Sequence, residues 1–481
     1  MSTGAPTQPV EAYTDEVLVI EPHGIEHITQ KERHGRPISQ GTIWFAAQIN
    51  FVTVLIGSLA IEFGLGFWTA AITCIAANIL GALMNSAAVA MGPKLGMPQM
   101  AMSRGAFGYR GNYLPAFLAS LLFVGYFTTT NIVGAETVQQ IWHGAPYTPM
   151  AIVLGILAII ITVYGYNLVH SVERYMSIAL ALVFVVVSIM ALSHGLGPSH
   201  HTTVHGKSLW TGIGLEFMII FSFTASWAPY ASDFSRYLPA STPSRLPYWY
   251  SFVGMVLGTC WMNVVGIYLG TLAEKEGILA GIRTITHGFA DVVYVGIILG
   301  GLMVCVINAY SCALSGITWD IPLNRVRTVI LVGVIGIILS IAFGGPKFEP
   351  TLEKFLYLVA YFVTPWLAIV IIDFWVLNKG GRGYPGIADF YRKDGGAFGA
   401  FRWPGVVALV VGVGVSVPFM ATVLYKGPIG KSLNGADISY VVSAIVAGVI
   451  YYVWSTRTAR QETPAAARQR SMGTRRTTAG V

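Results

Sequence analysis

The sequence predicts an all-α integral membrane protein with twelve transmembrane helices. Ten form a five-plus-five inverted repeat, and two more follow at the C-terminal end. Three observations predict this. Charge is scarce: Lys, Arg, Asp and Glu make up 11% of 481 residues and apolar residues 54%, where a soluble protein carries about a quarter charged residues. Apolar windows of about 20 residues, the length that crosses a bilayer, recur along the whole chain. Polar interruptions of those windows fall five spans apart. The composition excludes a disordered chain and a basic nucleic-acid-binding domain, and it leaves too little polar surface for a soluble globule. The 54 glycines and 23 prolines suit membrane helices, which tolerate both residues better than soluble ones do.

Taken in order, the windows are 42–62, 67–91, 113–138, 149–167, 174–193, 212–235, 248–270, 290–314, 328–344, 355–377, 404–425 and 437–455. Residues 1–41 mix acids, bases, histidines and prolines without a cleavable signal pattern, and read as a soluble cytoplasmic tail. Residues 42–193 form the first half, 212–377 the second, and 404–455 the two additional helices. Residues 456–481 carry six arginines among Ala, Thr and Ser. They read as a basic, disordered cytoplasmic tail held near anionic lipid. With the N-terminus in the cytoplasm, 22 of the 29 Lys and Arg residues fall on the cytoplasmic side. That bias places both termini inside, in a multi-pass protein of the plasma membrane. Cys74, Cys260, Cys305 and Cys312 lie in apolar runs without metal-ligand spacing and read as small buried hydrophobes. The histidines lie near membrane borders or in loops and form no metal set. No cofactor is expected.

Polar side chains at mid-membrane are functional candidates. Span 1 carries Gln48, Asn50 and Thr53, which mark either a broken helix or a helix–helix contact. In span 3, Phe127 and Asn131 are four apart and share a face. A ring beside an amide suits a planar heterocycle, by stacking on its face and hydrogen bonding to its edge. Glu136, deeper toward the outer end, is a proton carrier or a rim residue. Span 6 is unusually polar at Ser222, Thr224 and Ser226. Pro229 should break or kink it, offering free backbone N–H and C=O groups to a ligand or ion. Asp233 and Arg236 can pair at its cytoplasmic end as a gate or anchor. In span 8, Asn308 can donate and accept at once, reading a heterocycle edge or bridging helices. In span 10, Tyr361 shares a face with Tyr357 and Thr364 and is a candidate outer gate.

Polar breaks in spans 1 and 6, and ligand-like helices at spans 3 and 8, imply two halves of five helices. An odd number of spans per half gives the halves opposite topology, with paired broken helices around a midplane site. The site has amides, hydroxyls and rings in place of fixed charges, which suits a neutral flat solute.

The run Trp227-Ala-Pro-Tyr230-Ala-Ser-Asp233-Phe-Ser-Arg236-Tyr237-Leu-Pro239 resembles the end of the sixth helix in the nucleobase:cation symporter-1 family, in its purine–cytosine permease branch. Asn131-Ile-Val-Gly134 and Asn308-Ala-Tyr310-Ser311-Cys-Ala-Leu314-Ser315 are similar to that branch's third and eighth helices. Trp44-Phe-Ala-Ala-Gln48-Ile-Asn50 is similar to its first helix, with Gln48 a departure from the family's frequent Asn. Gly92-Pro93-Lys94-Leu-Gly96 and Ser103-Arg104-x-x-Phe107-Gly108 resemble family loops. The resemblance implies a fold of the leucine-transporter type. It also implies a secondary active transporter, not an enzyme, that imports a nucleobase such as cytosine, adenine, guanine or hypoxanthine by alternating access. Asn131 and Asn308 carry over as hydrogen-bonding residues. Phe127, Ser222 and Phe223 carry over by position. The coupling cation implied is H+, because Cys305-Val306-Ile307 offers no hydroxyl to sodium, with Na+ the alternative. Allantoin, hydantoin, a nucleoside or a thiamine-like heterocycle fit the same architecture. A channel would need polar residues along a whole span, and here they cluster at mid-depth. The expected partners are the substrate and lipid, with the monomer as the functional unit and no nucleic acid.

Overall fold

The computed structural model describes residues 24–164, 166–272, 277–433 and 436–461. The main helices are α1 (Ser39–Gln48), α2 (Phe51–Glu62), α3 (Phe67–Val89), α4 (Tyr113–Ile141), α5 (Tyr147–Tyr164) and α6 (Tyr166–His194). They continue as α7 (Lys207–Ala225), α8 (Ala231–Ser235), α9 (Arg245–Leu272), α10 (Ile278–Thr286) and α11 (Ala290–Thr318). The last are α12 (Arg325–Phe343), α13 (Phe348–Ile371), α14 (Trp403–Ser416) and α15 (Ser439–Gln461). No β-strand occurs among the described residues. Among the described residues nine helices are long and apolar enough to cross a membrane, α1 and α2 form one further span bent by 57°, and two shorter apolar helices, Ile178–His194 and Trp403–Phe419, lie at the predicted spans 5 and 11. On α12, Ile330, Val334, Ile338 and Ile341 are exposed at helical spacing. A stripe of that kind faces lipid.

The bend between α1 and α2 has a local cause. Asn50 is extended at φ −147°. Its side-chain oxygen accepts from Thr53 N at 3.1 Å, and its amide donates to Ala47 O at 2.8 Å. One side chain therefore caps the start of α2 and ties down the end of α1. The second break is milder than Pro229 suggests. Residues Ala228–Tyr230 tighten into a 3-10 turn, and the chain runs on through Ser235 as one 29-residue span. Proline sits at the start of that turn, where its missing N–H costs no intrahelical bond.

Close packing holds α9 against the bent pair. A Cβ on Gly57 would lie 2.2 Å from Asn263 O, and one on Gly266 would lie 1.8 Å from Val54 O. Backbones in contact at such distances need glycine, as in other membrane helix pairs. Helices α4 and α11 pack through short side chains: Ser315 Oγ donates to Ala116 O at 2.7 Å, and Cys305 Sγ to Phe127 O at 3.5 Å.

The N-terminal segment covers one end of the helices, the near face. Of the predicted tail 1–41, residues 1–23 lie outside the described residues. The remainder packs on the protein. Ile28 N donates to Gly96 O at 2.8 Å, Arg33 to Pro93 O at 2.6 Å, and His34 N to Tyr237 O at 2.7 Å. The structure follows the predicted 456–481 tail only as far as Gln461, where α15 ends.

Candidate functional site

The two helix breaks meet in an aromatic cluster. Trp44 on α1 lies edge-on to Trp227, with ring centroids 6.0 Å apart at 84°. Trp227 is 5.0 Å from Tyr230, and Tyr230 is 4.4 Å from Phe123 of α4. Tyr126 of α4 is 6.0 Å from Phe223 and bonds Ser226 Oγ at 2.9 Å. All six rings are buried. Several polar atoms here have no hydrogen-bond partner: Trp44 Nε1, Trp227 Nε1, and both amide atoms of Gln48. Most buried polar groups are paired, and leaving one unpaired costs about 1–3 kcal/mol. Rings plus unpaired donors and acceptors form a surface that a flat, polar-edged molecule satisfies on both counts.

Asn308 stands at this junction. Its amide donates to Val304 O at 2.8 Å, and its oxygen accepts from Tyr230 OH at 2.5 Å. Phe223 is in the cluster. Its neighbour Ser222 turns away, donating to Ile219 O at 3.0 Å and toward Leu356 O of α13 at 3.5 Å. Gln48 is fully buried, and its stem packs beside Gly258 of α9. Phe127 and Asn131 share a face as expected, but that face is turned toward α5 and α12. A Cβ on Gly336 would lie 2.2 Å from the Phe127 ring. Asn131 donates to Ala151 O at 3.0 Å and Ser340 Oγ at 3.1 Å. The helical period places Phe123 and Tyr126, not Phe127, toward the broken span.

A cavity of about 290 Å³ opens on the far face, between the far ends of α4, α10 and α13. Phe51, the first residue after the α1 break, and Leu55 line it, with Glu136 and Glu349. Glu136 accepts from Gly345 N at 3.0 Å, which fixes it at this mouth. A larger groove of about 500 Å³ runs along α15, lined by Val449, Ile450, Val453 and Trp454 with Arg457 and Thr458 at one end.

The near face is closed. Asp233 accepts from Gln99 N at 3.0 Å and from Ser311 Oγ of α11 at 2.8 Å. Arg236 donates to Gly24 O at 3.0 Å and to the Tyr310 hydroxyl at 3.3 Å. The pair thus fastens span 6 to span 8 and to the N-terminal segment. In that segment His27 Nε2 lies 3.1 Å from Arg33. Burial, and then the Arg33 charge, hold the His27 imidazole below its ordinary value of 6.5. Tyr361 sits away from the far mouth. Its hydroxyl donates to Asp437 Oδ2 at 3.0 Å and to Thr422 Oγ1 at 3.3 Å, joining α13 to the loop before α15.

Sequence reasoning did not single out Tyr126, Trp227 or Glu216 as candidates. The signal for Glu216 was present, a lone acid within Leu215-Glu-Phe-Met-Ile-Ile220.

Known proteins resemble this chain along most of its length. A family profile described as permease for cytosine/purines, uracil, thiamine, allantoin matches residues 27–443. The chain is 29% identical over 453 residues to YxlA of Bacillus subtilis, covering 91% of this chain and 96% of that one. It is 26% identical over 465 residues to the purine-cytosine permease fcyB of Emericella nidulans, covering 90% and 88%. Among solved structures, Mhp1, a nucleobase-cation-symport-1 family transporter in a closed conformation with bromovinylhydantoin bound, superposes with a TM-score of 0.74 at 18% identity, covering 94% of this chain and 99% of that one. This likeness in fold shows an all-α membrane fold of the leucine-transporter type.

Proposed function

This chain belongs to the family of permeases for cytosine/purines, uracil, thiamine and allantoin, and from that premise we propose that it imports a nucleobase, cytosine or a purine, together with H+. The observation that carries the reading is the ring cluster at the two helix breaks, with the unpaired polar atoms of Gln48, Trp44 and Trp227 beside it. Similarity to purine-cytosine permeases supports a nucleobase over other heterocycles.

The substrate enters by the far cavity, passes Phe51, and stacks among Trp44, Phe223 and Trp227. Gln48 and Asn308 read its edge, with Asn308 exchanging its Tyr230 partner for the ligand. Asn131 acts through the packing of span 3 on spans 4 and 9. Substrate contacts that exist only in the closed state supply the differential binding that drives the far side shut. The near-face fastenings of Asp233 and Arg236 then release. The excess of Lys and Arg on the near face supports a cytoplasmic orientation for it, in a protein of the plasma membrane.

The test is uptake of radiolabelled cytosine, adenine, guanine and hypoxanthine into proteoliposomes. An imposed pH gradient, acid outside, should drive accumulation without sodium. Strict sodium dependence at constant pH would overturn the proton reading. Competition by allantoin or hydantoin alone would overturn the substrate class.

A further inference from the structure

We propose that Glu216 is the residue that carries the coupled proton, an assignment that rests on the proton-coupled reading above. Glu216 lies on α7, within the membrane and about three turns ahead of the second break. It is 2% exposed, and no hydrogen bond of standard geometry reaches either carboxyl oxygen. It faces Thr73 and Cys74 of α3. The Thr73 hydroxyl donates to its own Thr69 O at 2.9 Å. A carboxylate in that setting is costly unless a cation or a proton neutralises it. Among the described residues no Lys, Arg or His forms an ion pair with it.

The wall of side chains beside the carboxyl is hydrogen-bonded to both breaks. Beside Cys74, Asn78 Nδ2 donates to Cys74 Sγ at 3.2 Å and to Asn263 Oδ1 of α9 at 3.0 Å. Asn263 in turn donates to Thr53 O, in the first turn of α2, at 2.8 Å. Thr224, one residue before the end of α7, donates to Asn78 Oδ1 at 2.6 Å. A single buried amide chain therefore joins the surroundings of Glu216 to the residues flanking the first and second breaks. Ionising Glu216 against this chain disfavours the arrangement that surrounds it here, and protonating it restores that arrangement. That gives the proton a differential effect on the two states, which coupling requires.

The other titratable groups on packed elements face other partners. On α2, Glu62 interacts with Glu349 and Glu353. On α13, Glu353 accepts from Tyr357 OH at 2.7 Å. On α9, Cys260 is a thiol near Cys74. On α15, Tyr440 packs its ring on Phe221, 5.4 Å between centroids. In the transport step the carboxylate takes a proton from the far-side solution, crosses the conformational change as the neutral acid, and releases the proton to the near side.

The experiment compares wild type with Glu216→Gln in proteoliposomes by two assays. The first is exchange of labelled for unlabelled substrate at equal pH on both sides. The second is accumulation against a gradient of one pH unit, worth about tenfold in concentration for one proton per substrate. The expected result is exchange within about twofold of wild type, with the accumulation ratio reduced to one, and Glu216→Asp regaining part of the gradient response. Full accumulation by Glu216→Gln would overturn the proposal. So would loss of exchange together with accumulation, because Glu216 would then serve binding or folding. A wild type that ignores the pH gradient would instead sink the proton-coupled reading itself, which the same assay separates from a failure at Glu216.

Discussion

Tyr230 donates its hydroxyl to Asn308 Oδ1 at 2.5 Å, which ties the second helix break directly to α11. The bond joins the two elements between which a ligand must sit, and it occupies the one atom of Asn308 best placed to accept from a ring N–H.

Removing that partner should separate binding from fold. Asn308→Ala leaves the buried Tyr230 hydroxyl unpaired, a loss of about 1–3 kcal/mol. Uptake per folded transporter should fall at least about tenfold if the amide also reads the substrate, since a lost buried hydrogen bond of about 1.4 kcal/mol is a factor of ten. Uptake normalised to folded protein by size-exclusion fluorescence checks this, and an unchanged normalised rate would remove Asn308 from the site.

Trp227 and Phe127 should behave differently. Trp227→Leu removes a ring at the break and should raise the apparent KM several-fold, since aromatic contacts contribute about 0.5–1.5 kcal/mol beyond area. Phe127 fills the space beside Gly336, so Phe127→Leu should lower thermal stability and leave KM within about twofold, the pattern of a core substitution. Michaelis kinetics and thermal melts of both variants distinguish the two. A KM rise in Phe127→Leu alone would return stacking to the face it shares with Asn131.

The near-face fastening should loosen in acid. The His27 imidazole is held below 6.5 in the folded segment, so that segment favours the neutral form. The folded state then binds fewer protons than the released one, and attachment weakens as pH falls below 6.5. Charged His27 would face the Arg33 guanidinium 3.1 Å away. Hydrogen exchange of residues 24–37 between pH 7.5 and 5.5 should rise, after correction for intrinsic rates, and His27→Gln should flatten the response. A pH-independent protection pattern would contradict it.

Asp437 should matter for assembly and not for transport. It accepts from Tyr361 OH, Ala421 N, and both Ser439 N and Ser439 Oγ. Hydrogen bonds to a charged group contribute about 1.5–3 kcal/mol. Asp437→Asn should lower the melting temperature, with KM unchanged. Tyr361→Phe should do the same to a smaller degree. A change in substrate affinity without a loss of stability would restore Tyr361 to a gating role.

Much of the fold was legible because the bilayer imposes length and polarity on each span. The broken first span could be read from Gln48 and Asn50, and Asn50 does bridge the break. Helix faces were harder to assign. Phe127 and Asn131 share a face by period alone, but which neighbour that face meets depends on how α4 rotates against α5, α11 and α12. One residue of rotation separates Tyr126, on the cluster, from Phe127, off it. Tyr361 fell to the same cause, since its partner Asp437 lies 76 residues away. Glu216 was passed over because a single acid leaves an apolar window still apolar, and only its burial distinguishes it.

The central claim is that the substrate lies where the two breaks meet. A structure of the transporter with a bound nucleobase tests it most directly. The account predicts the heterocycle between Trp44, Phe223 and Trp227, with its edge on Gln48 or Asn308. Density for the ring confined to the far cavity beside Glu136 and Glu349, with the cluster unchanged, would contradict it.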